Sequence, residues 1–171
     1  MSLRPIRLYP DPILRVHCPE VTSFDDGLRR LAADMIETMH AAVGVGLAAP
    51  QIGVETRLMV VDPTAGEDAD AVLTLVNPVI DTEDGSDRVA EGCLSIPGLT
   101  EKVDRPAKIH VHAQNLEGEA FEFVAEDLLA RVTCHELDHL NGILFVDHLN
   151  GLLRERAQRH LRRMREEARL A

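Results

Sequence analysis

One stretch constrains the fold of this chain more than any other. Residues 126–140, EDLLARVTCHELDHL, set Leu128, Val132, Leu137 and Leu140 on a helical pattern, and Gly142 follows as a stop signal. The hydrophobic pattern of the chain centres on this helix. The same helix carries His135, Glu136 and His139. Residues four apart share a helix face, so both imidazoles can reach one ion. Glu136 projects to one side of that ion, where it can contact a water without being a ligand. The pattern H-E-x-x-H is short, and a helix with surface His and Glu is the plain alternative.

The other elements are shorter or less regular. Pro5, Pro10 and Pro12 make the N-terminus extended or turning. Residues 25–42 predict a second helix, with Leu28, Leu31, Met35, Ile36 and Met39 near helical spacing and Asp25 and Asp26 at its start. GVGLAAPQIG (44–53) holds too much Gly and Pro for a regular helix and reads as a loop or irregular strand. RLMVVD (57–62) and VLTLVNPVI (72–80) read as strands, the second cut by Pro78. TAGEDADA (64–71) reads as a polar loop and residues 81–88 as an acidic one. KIHVHAQN (108–115) alternates, with His110 and His112 on one face, and LEGEAFEFVA turns back through Gly118 as its hairpin partner. Residues 150–168 predict a final amphipathic helix. Without repeats or a linker, 171 residues suggest one domain over 1–171, with 150–171 as a basic C-terminal helix.

Aromatic residues are 3% of the chain and Trp is absent, so the expected core is aliphatic. A net charge of −11 argues against a nucleic-acid binder, which needs a basic face. The charge is uneven. Seven Arg against three Glu give residues 154–171 a net +4, leaving −15 on residues 1–153. Cys18, Cys93 and Cys134 do not suggest a secreted disulfide scaffold. The opening MSLRPIRLYPDPILR is no signal peptide, and no apolar run is long enough to span a membrane. A cytoplasmic protein is the expectation.

A metal site on the 126–140 helix needs a third protein ligand. Downstream lie Asp147, His148, Glu155, His160, Glu166 and Glu167, with His148 following closely in FVDHL. Cys134 points about 100° away from its helix neighbour and reads as a small buried apolar residue. Cys18 reads as structural or incidental. Cys93 stands in EGCLSIPG, where Gly92 and a Ser-x-Pro turn bend the backbone tightly. A thiolate there could complete a Cys-His-His set and leave a fourth position to water, the form of a catalytic site.

GVGLAAPQ (44–51), EGCLS (91–95) and HELDHLNG (135–142), in this order and at these separations, resemble the three signature motifs of peptide deformylases. DPILR (11–15), NPVI (77–80), VDRP (103–106) and GILFVDHL (142–149) also look like that family, so the resemblance runs at least from Tyr9 to Leu149. It implies an α+β fold: a central metal-binding helix surrounded by antiparallel β-sheets, with an N-terminal and a C-terminal helix. It implies that Cys93, His135 and His139 hold one divalent metal per chain, physiologically Fe²⁺, with Zn²⁺, Ni²⁺ or Co²⁺ able to substitute. Glu136 would be the general acid/base. The Gln51 side-chain amide and the Leu94 backbone N–H would form the oxyanion hole, and the Gly46 backbone would pair with the substrate. The implied reaction is hydrolysis of the N-formyl group from the initiator methionine of new polypeptides, releasing formate, with water activated by the metal as nucleophile. Val45, Val89, Leu128 and Val132 are candidates for the methionine pocket, or are plain core.

Two departures from the family pattern stand out. Cys134 occupies a position where many members carry Gln, and Leu99-Thr100-Glu101 lacks the Arg or aromatic residue several members place near the substrate. Two alternatives remain: another H-E-x-x-H metallohydrolase, such as a peptidase with a downstream ligand, and a non-catalytic paralogue. The paralogue would be expected to have lost the Glu, Gln or Cys, and here all three are present. For the basic tail, docking on the ribosome competes with a solvated helix face laced by i,i+4 Glu–Arg pairs.

Overall fold

A computed structural model describes residues 2–170. The described residues form three α-helices and seven strands: α1 (Asp26–Ala41), β1 (Gly46–Ala48), β2 (Leu58–Val61), β3 (Leu73–Asp84), β4 (Asp87–Cys93), β5 (Ile96–Arg105), β6 (Lys108–Gln114), β7 (Ala120–Glu126), α2 (Asp127–Leu140) and α3 (Gly151–Leu170). The strands build one antiparallel five-stranded sheet, in the order β1-β2-β3-β6-β7, and a separate β4–β5 hairpin. This is the α+β arrangement expected, with α2 central. α2 packs on β1, β2, β6 and β7 from one sheet and on β5 from the other.

The two faces of the large sheet explain the strand sequences. On β2, Leu58 and Val60 join the core under α1, while Met59 and Val61 join the core under α2. Both faces are covered, so the strand reads as an unbroken apolar run. On β6 and β7 only one face is covered. Ile109, Val111, Ala113 and Ala125 are buried, and His110, His112 and Glu122 point outward. α1 starts where the Asp25 carboxylate accepts the Leu28 N–H at 3.0 Å, an N-cap that satisfies one orphan donor. α3 lies against β5 and the 3₁₀ turn Phe145–His148. Leu153, Leu161 and Met164 pack on a third cluster around Leu14, Ile96 and Phe145.

Three expectations are corrected. Residues 81–88 are not a loop: β3 runs to Asp84 and β4 begins at Asp87. The acidic side chains sit on exposed strand, and Gly85, at φ +65°, lets the chain leave one sheet for the other. Pro78 does not cut β3. The ladder slips between Val76 and Val79, and the Asn77 side chain replaces the lost bonds, accepting the Val21 N–H at 2.8 Å and donating to the Val21 carbonyl at 2.9 Å. Finally, β5 has no counterpart among the predicted elements. Its buried positions include Glu101 and Arg105 beside Ile96 and Val103, so inward charges hide the alternation.

Candidate active site

α2 is apolar enough to be buried and polar enough to carry chemistry. Ala130, Val132, Cys134 and Leu140 are buried on it together with His135, Glu136 and His139. The helix ends in a Schellman motif. Ile143 N–H bonds the Asp138 carbonyl at 2.9 Å, and Gly142 N–H bonds the His139 carbonyl at 3.2 Å. Gly142 sits at φ +73°, and a Cβ there would lie 2.5 Å from the Arg15 carbonyl oxygen. This position admits only glycine, which fixes the end of the helix just beyond His139.

Cys93, at the end of β4, brings its Sγ to 3.2 Å from His139 Nε2. Donor atoms of Cys93, His135 and His139 all lie within 4.8 Å of one another. Around a tetrahedral ion, bonds of about 2.0–2.3 Å put neighbouring donors roughly 3.3–3.7 Å apart, so a thiolate and two imidazoles at this spacing fit one divalent metal. Burial pushes the His139 pKa well below its ordinary value, which keeps the ring neutral, the form that can ligate. His148, the nearest downstream candidate, is not in this group. Its Nε2 lies 2.7 Å from Asp138 Oδ2 and faces Arg105.

A buried carboxylate orients the cluster. Glu91 accepts His135 Nδ1–H at 2.8 Å, leaving Nε2 to face Cys93 and His139. Arg105 bonds both oxygens of Glu91, at 2.7 and 3.2 Å, and Arg131 adds a third bond at 3.1 Å. Burial alone would raise the Glu91 pKa, but these partners bring it down to about 2. Burial likewise disfavours charge on His135, yet its contacts with Cys93 and Glu91 hold its pKa well above the ordinary value. Phe145 stacks on the His135 ring, with centroids 6.2 Å apart.

Glu136 lies beside this group. It is 3% exposed, and its Oε2 meets no hydrogen-bond partner among the described residues. Burial pushes its carboxyl up to about 7, where a single group can take and give a proton near neutral pH. Gly46 leaves it room, since a Cβ there would lie 2.4 Å from Glu136 Oε1 and 2.7 Å from Val132 Cγ1. Gln51 closes the other side. Its Oε1 accepts the Ala48 N–H at 2.8 Å, which aims Nε2 at Ser95 Oγ (3.3 Å) and Cys93 Sγ (3.7 Å).

A cavity of about 400 Å³ opens over Cys93, His135 and Glu136. Gly46, on the edge strand β1, walls one side, and Gly98 and Thr100 of β5 line another. Val45, Leu94, Leu128 and Val132 line it, but Val89 does not. Val89 is 42% exposed, two residues before Glu91 on β4 and beyond the cavity wall at Ala90. Glu101 turns away from the cavity and pairs with Arg156 of α3 at 3.3 Å. Cys134 is packed among Ile109, Val111 and Ala125, and burial pushes its thiol up to about 11, so it stays unreactive at neutral pH.

The sequence profile of the polypeptide deformylases matches residues 3–155. The chain belongs to the peptide deformylase family. A peptide deformylase of Acidobacterium capsulatum is 47% identical to it over 96% of each chain. The crystal structure of the Thermus thermophilus peptide deformylase superposes with a TM-score of 0.90 at 44% identity, covering 97% of this chain and 99% of that one. The Legionella pneumophila structure gives 0.89 at 42% identity over 98% of each. Within this deformylase fold, Cys93, His135, Glu136 and Gln51 line one cavity, and His139 meets Cys93 beside it. Sequence reading missed Glu91, Arg105, Arg131 and Ser95. Glu91 and Ser95 stand in EGCLS and Arg105 in VDRP, but nothing in those motifs says that they meet His135 or Gln51.

Proposed function

We propose that this chain hydrolyses the N-formyl group from the initiator methionine of newly made polypeptides, releasing formate and a free amine. The observation that carries the reading is the convergence on one cavity of Cys93, His135, the buried Glu136 and the Gln51 amide, with His139 meeting Cys93 beside it. Cys93, His135 and His139 hold the divalent ion, physiologically Fe²⁺, with Zn²⁺, Ni²⁺ or Co²⁺ able to replace it. When bound, that ion supplies Lewis acidity, which makes water nucleophilic near neutral pH.

The remaining work falls to the protein. Glu136 takes the proton of the attacking water and passes it to the leaving amine. Gln51 Nε2 and the Leu94 N–H donate to the formyl oxygen as it gains charge. Gln51 is fixed in advance by its bond from Ala48, so little reorganisation is needed. The free edge of β1 at Gly46 pairs with the peptide backbone as an added strand. Val45, Leu128 and Val132 receive the methionine side chain. The whole chain acts as one domain in the cytoplasm, where formylated chains are made. The seven Arg of residues 154–171 support docking of α3 on the ribosome. Co-sedimentation with ribosomes should then weaken when the chain ends near Asn150, and equal sedimentation would contradict it.

Formyl-Met and acetyl-Met peptides test the reaction. Formate release from the first, with no deacetylation of the second, is the expected result. Cleavage of internal peptide bonds instead would indicate a peptidase. Under the proposal Cys93→Ala loses the metal, whereas a downstream ligand set would retain it.

A further inference from the structure

Outside the cavity, the outward face of the large sheet carries a second group of ligand-type side chains. His110 and His112 are two apart on β6, so both point to the same side of the sheet. Asp81 comes from β3. There Ile80 pairs with Val111 and Thr82 with His110, which leaves Asp81 as the extra residue of a bulge. Bulges re-aim a side chain, and this one sets the carboxylate between the two rings. His110 Nδ1 donates to Asp81 Oδ1 at 2.9 Å, and His112 Nε2 donates to Asp81 Oδ2 at 2.7 Å. Glu122 of β7, directly opposite His112, approaches the remaining nitrogens: His110 Nε2 at 3.5 Å and His112 Nδ1 at 3.4 Å. The two rings meet edge to face, centroids 4.7 Å apart.

We propose that Asp81, His110 and His112 form a second divalent-cation site, separate from the Cys93 cluster, that takes an ion of the Zn²⁺ class. Their ligand atoms already lie within 4.8 Å of one another, on three side chains partly open to solvent. Two imidazoles and a carboxylate select Zn²⁺, Ni²⁺ or Cu²⁺ over Mg²⁺ or Ca²⁺, which prefer oxygen ligands. Glu122 plays the outer role. Its carboxylate faces the far nitrogen of each ring at ion-pair distance, placed to close into the carboxylate–histidine–metal arrangement that fixes ring orientation. With neutral rings, Asp81 and Glu122 together match the charge of a divalent ion. Bound there, the ion crosslinks β3 to β6, with Glu122 drawing in β7. Nothing in the deformylase chemistry uses these residues.

Equilibrium dialysis of the full chain at micromolar free Zn²⁺ tests this, with metal counted per chain. The wild type should hold two Zn²⁺, and His110→Asn, His112→Asn and Asp81→Asn should each hold one while formate release is retained. Cys93→Ala should lose the other equivalent and keep this one. Zn²⁺ added after the first equivalent should raise the Tm of the wild type and leave that of the three variants unchanged. A wild type that holds a single Zn²⁺, or variants that still hold two, would overturn the proposal.

Discussion

Gly46 and Glu91 show how single residues set the site without being ligands. A methyl at Gly46 would meet Glu136 Oε1 and Cγ and Val132 Cγ1, at 2.4–2.8 Å, so both side chains would have to shift toward the cavity. Gly46→Ala is therefore expected to cost about 1–3 kcal/mol in urea unfolding. It should also cut formate release by about a hundredfold, since a displaced Glu136 loses its proton-transfer geometry. Wild-type activity in that variant would contradict the close approach. Glu91 balances Arg105, Arg131 and His135 at once, and its side chain is 5% exposed. Glu91→Ala leaves the buried Arg131 guanidinium without its carboxylate and Arg105 with Asp138 alone, an expected loss of about 3–5 kcal/mol. It also frees the His135 ring, so metal affinity measured by chelator competition should fall roughly 10–100-fold.

At the scale of elements, the helices were legible because periodicity survives burial. The 3.6-residue patterns of residues 25–42 and 126–140 predict α1 and α2 to within a residue or two. The strands were legible only where a clean rule applied: continuous apolar residues on β2, strict alternation on β6. β5 broke both rules because Glu101 and Arg105 face inward, satisfied by Arg156 and by Glu91 and Asp138 from distant parts of the chain. The same limit governs the site. His135, Glu136 and His139 share one turn and announce themselves, while the Glu91–Arg105–Arg131 network is held by pairings with no fixed sequence spacing. The bulge at Asn77 carries its own prediction. Asn77→Ala removes three side-chain bonds, to Val21 N, Val21 O and Gln114 Oε1, where Pro78 offers no N–H. A loss of about 1–3 kcal/mol is expected in denaturant unfolding, with catalysis of the folded enzyme unchanged. No loss would mean that water replaces these bonds.

Across the whole molecule, carboxylates set the acid limit of stability. Asp34 is held below its ordinary pKa by the Ser2 N–H and Arg4. Asp62 is buried, which alone would raise its pKa, but bonds from Thr64, His40 and Gly66 bring it down. For Asp147, burial is likewise outweighed by Arg15 and the Leu144 N–H. In each case the folded state binds a proton less readily than the unfolded chain. Their stabilisation is thus complete above the ordinary carboxylate range, near pH 4, and is lost as pH falls through and below it. These three carboxylates should leave the Tm unchanged from about pH 7 to 5, where the shifted groups are Glu136, His135 and His139, and should lower it below about pH 4; a Tm that does not fall between pH 4 and pH 3 would contradict these assignments. The candidate site draws on the same molecule-wide arrangement, because Cys93 of β4 meets His135 and His139 of α2 only when both sheets pack around that helix.

That packing matters chemically only if Glu136 moves protons beside a bound metal, and a single comparison decides it. Wild type and Glu136→Ala, purified anaerobically and shown to carry the same metal content, are assayed for formate release from a formyl-Met peptide. The wild type should release formate, and the variant should be slower by about 10²–10⁴-fold. Equal rates in the two proteins, or no formate from the wild type in its Fe²⁺, Zn²⁺, Ni²⁺ or Co²⁺ forms, would contradict the account.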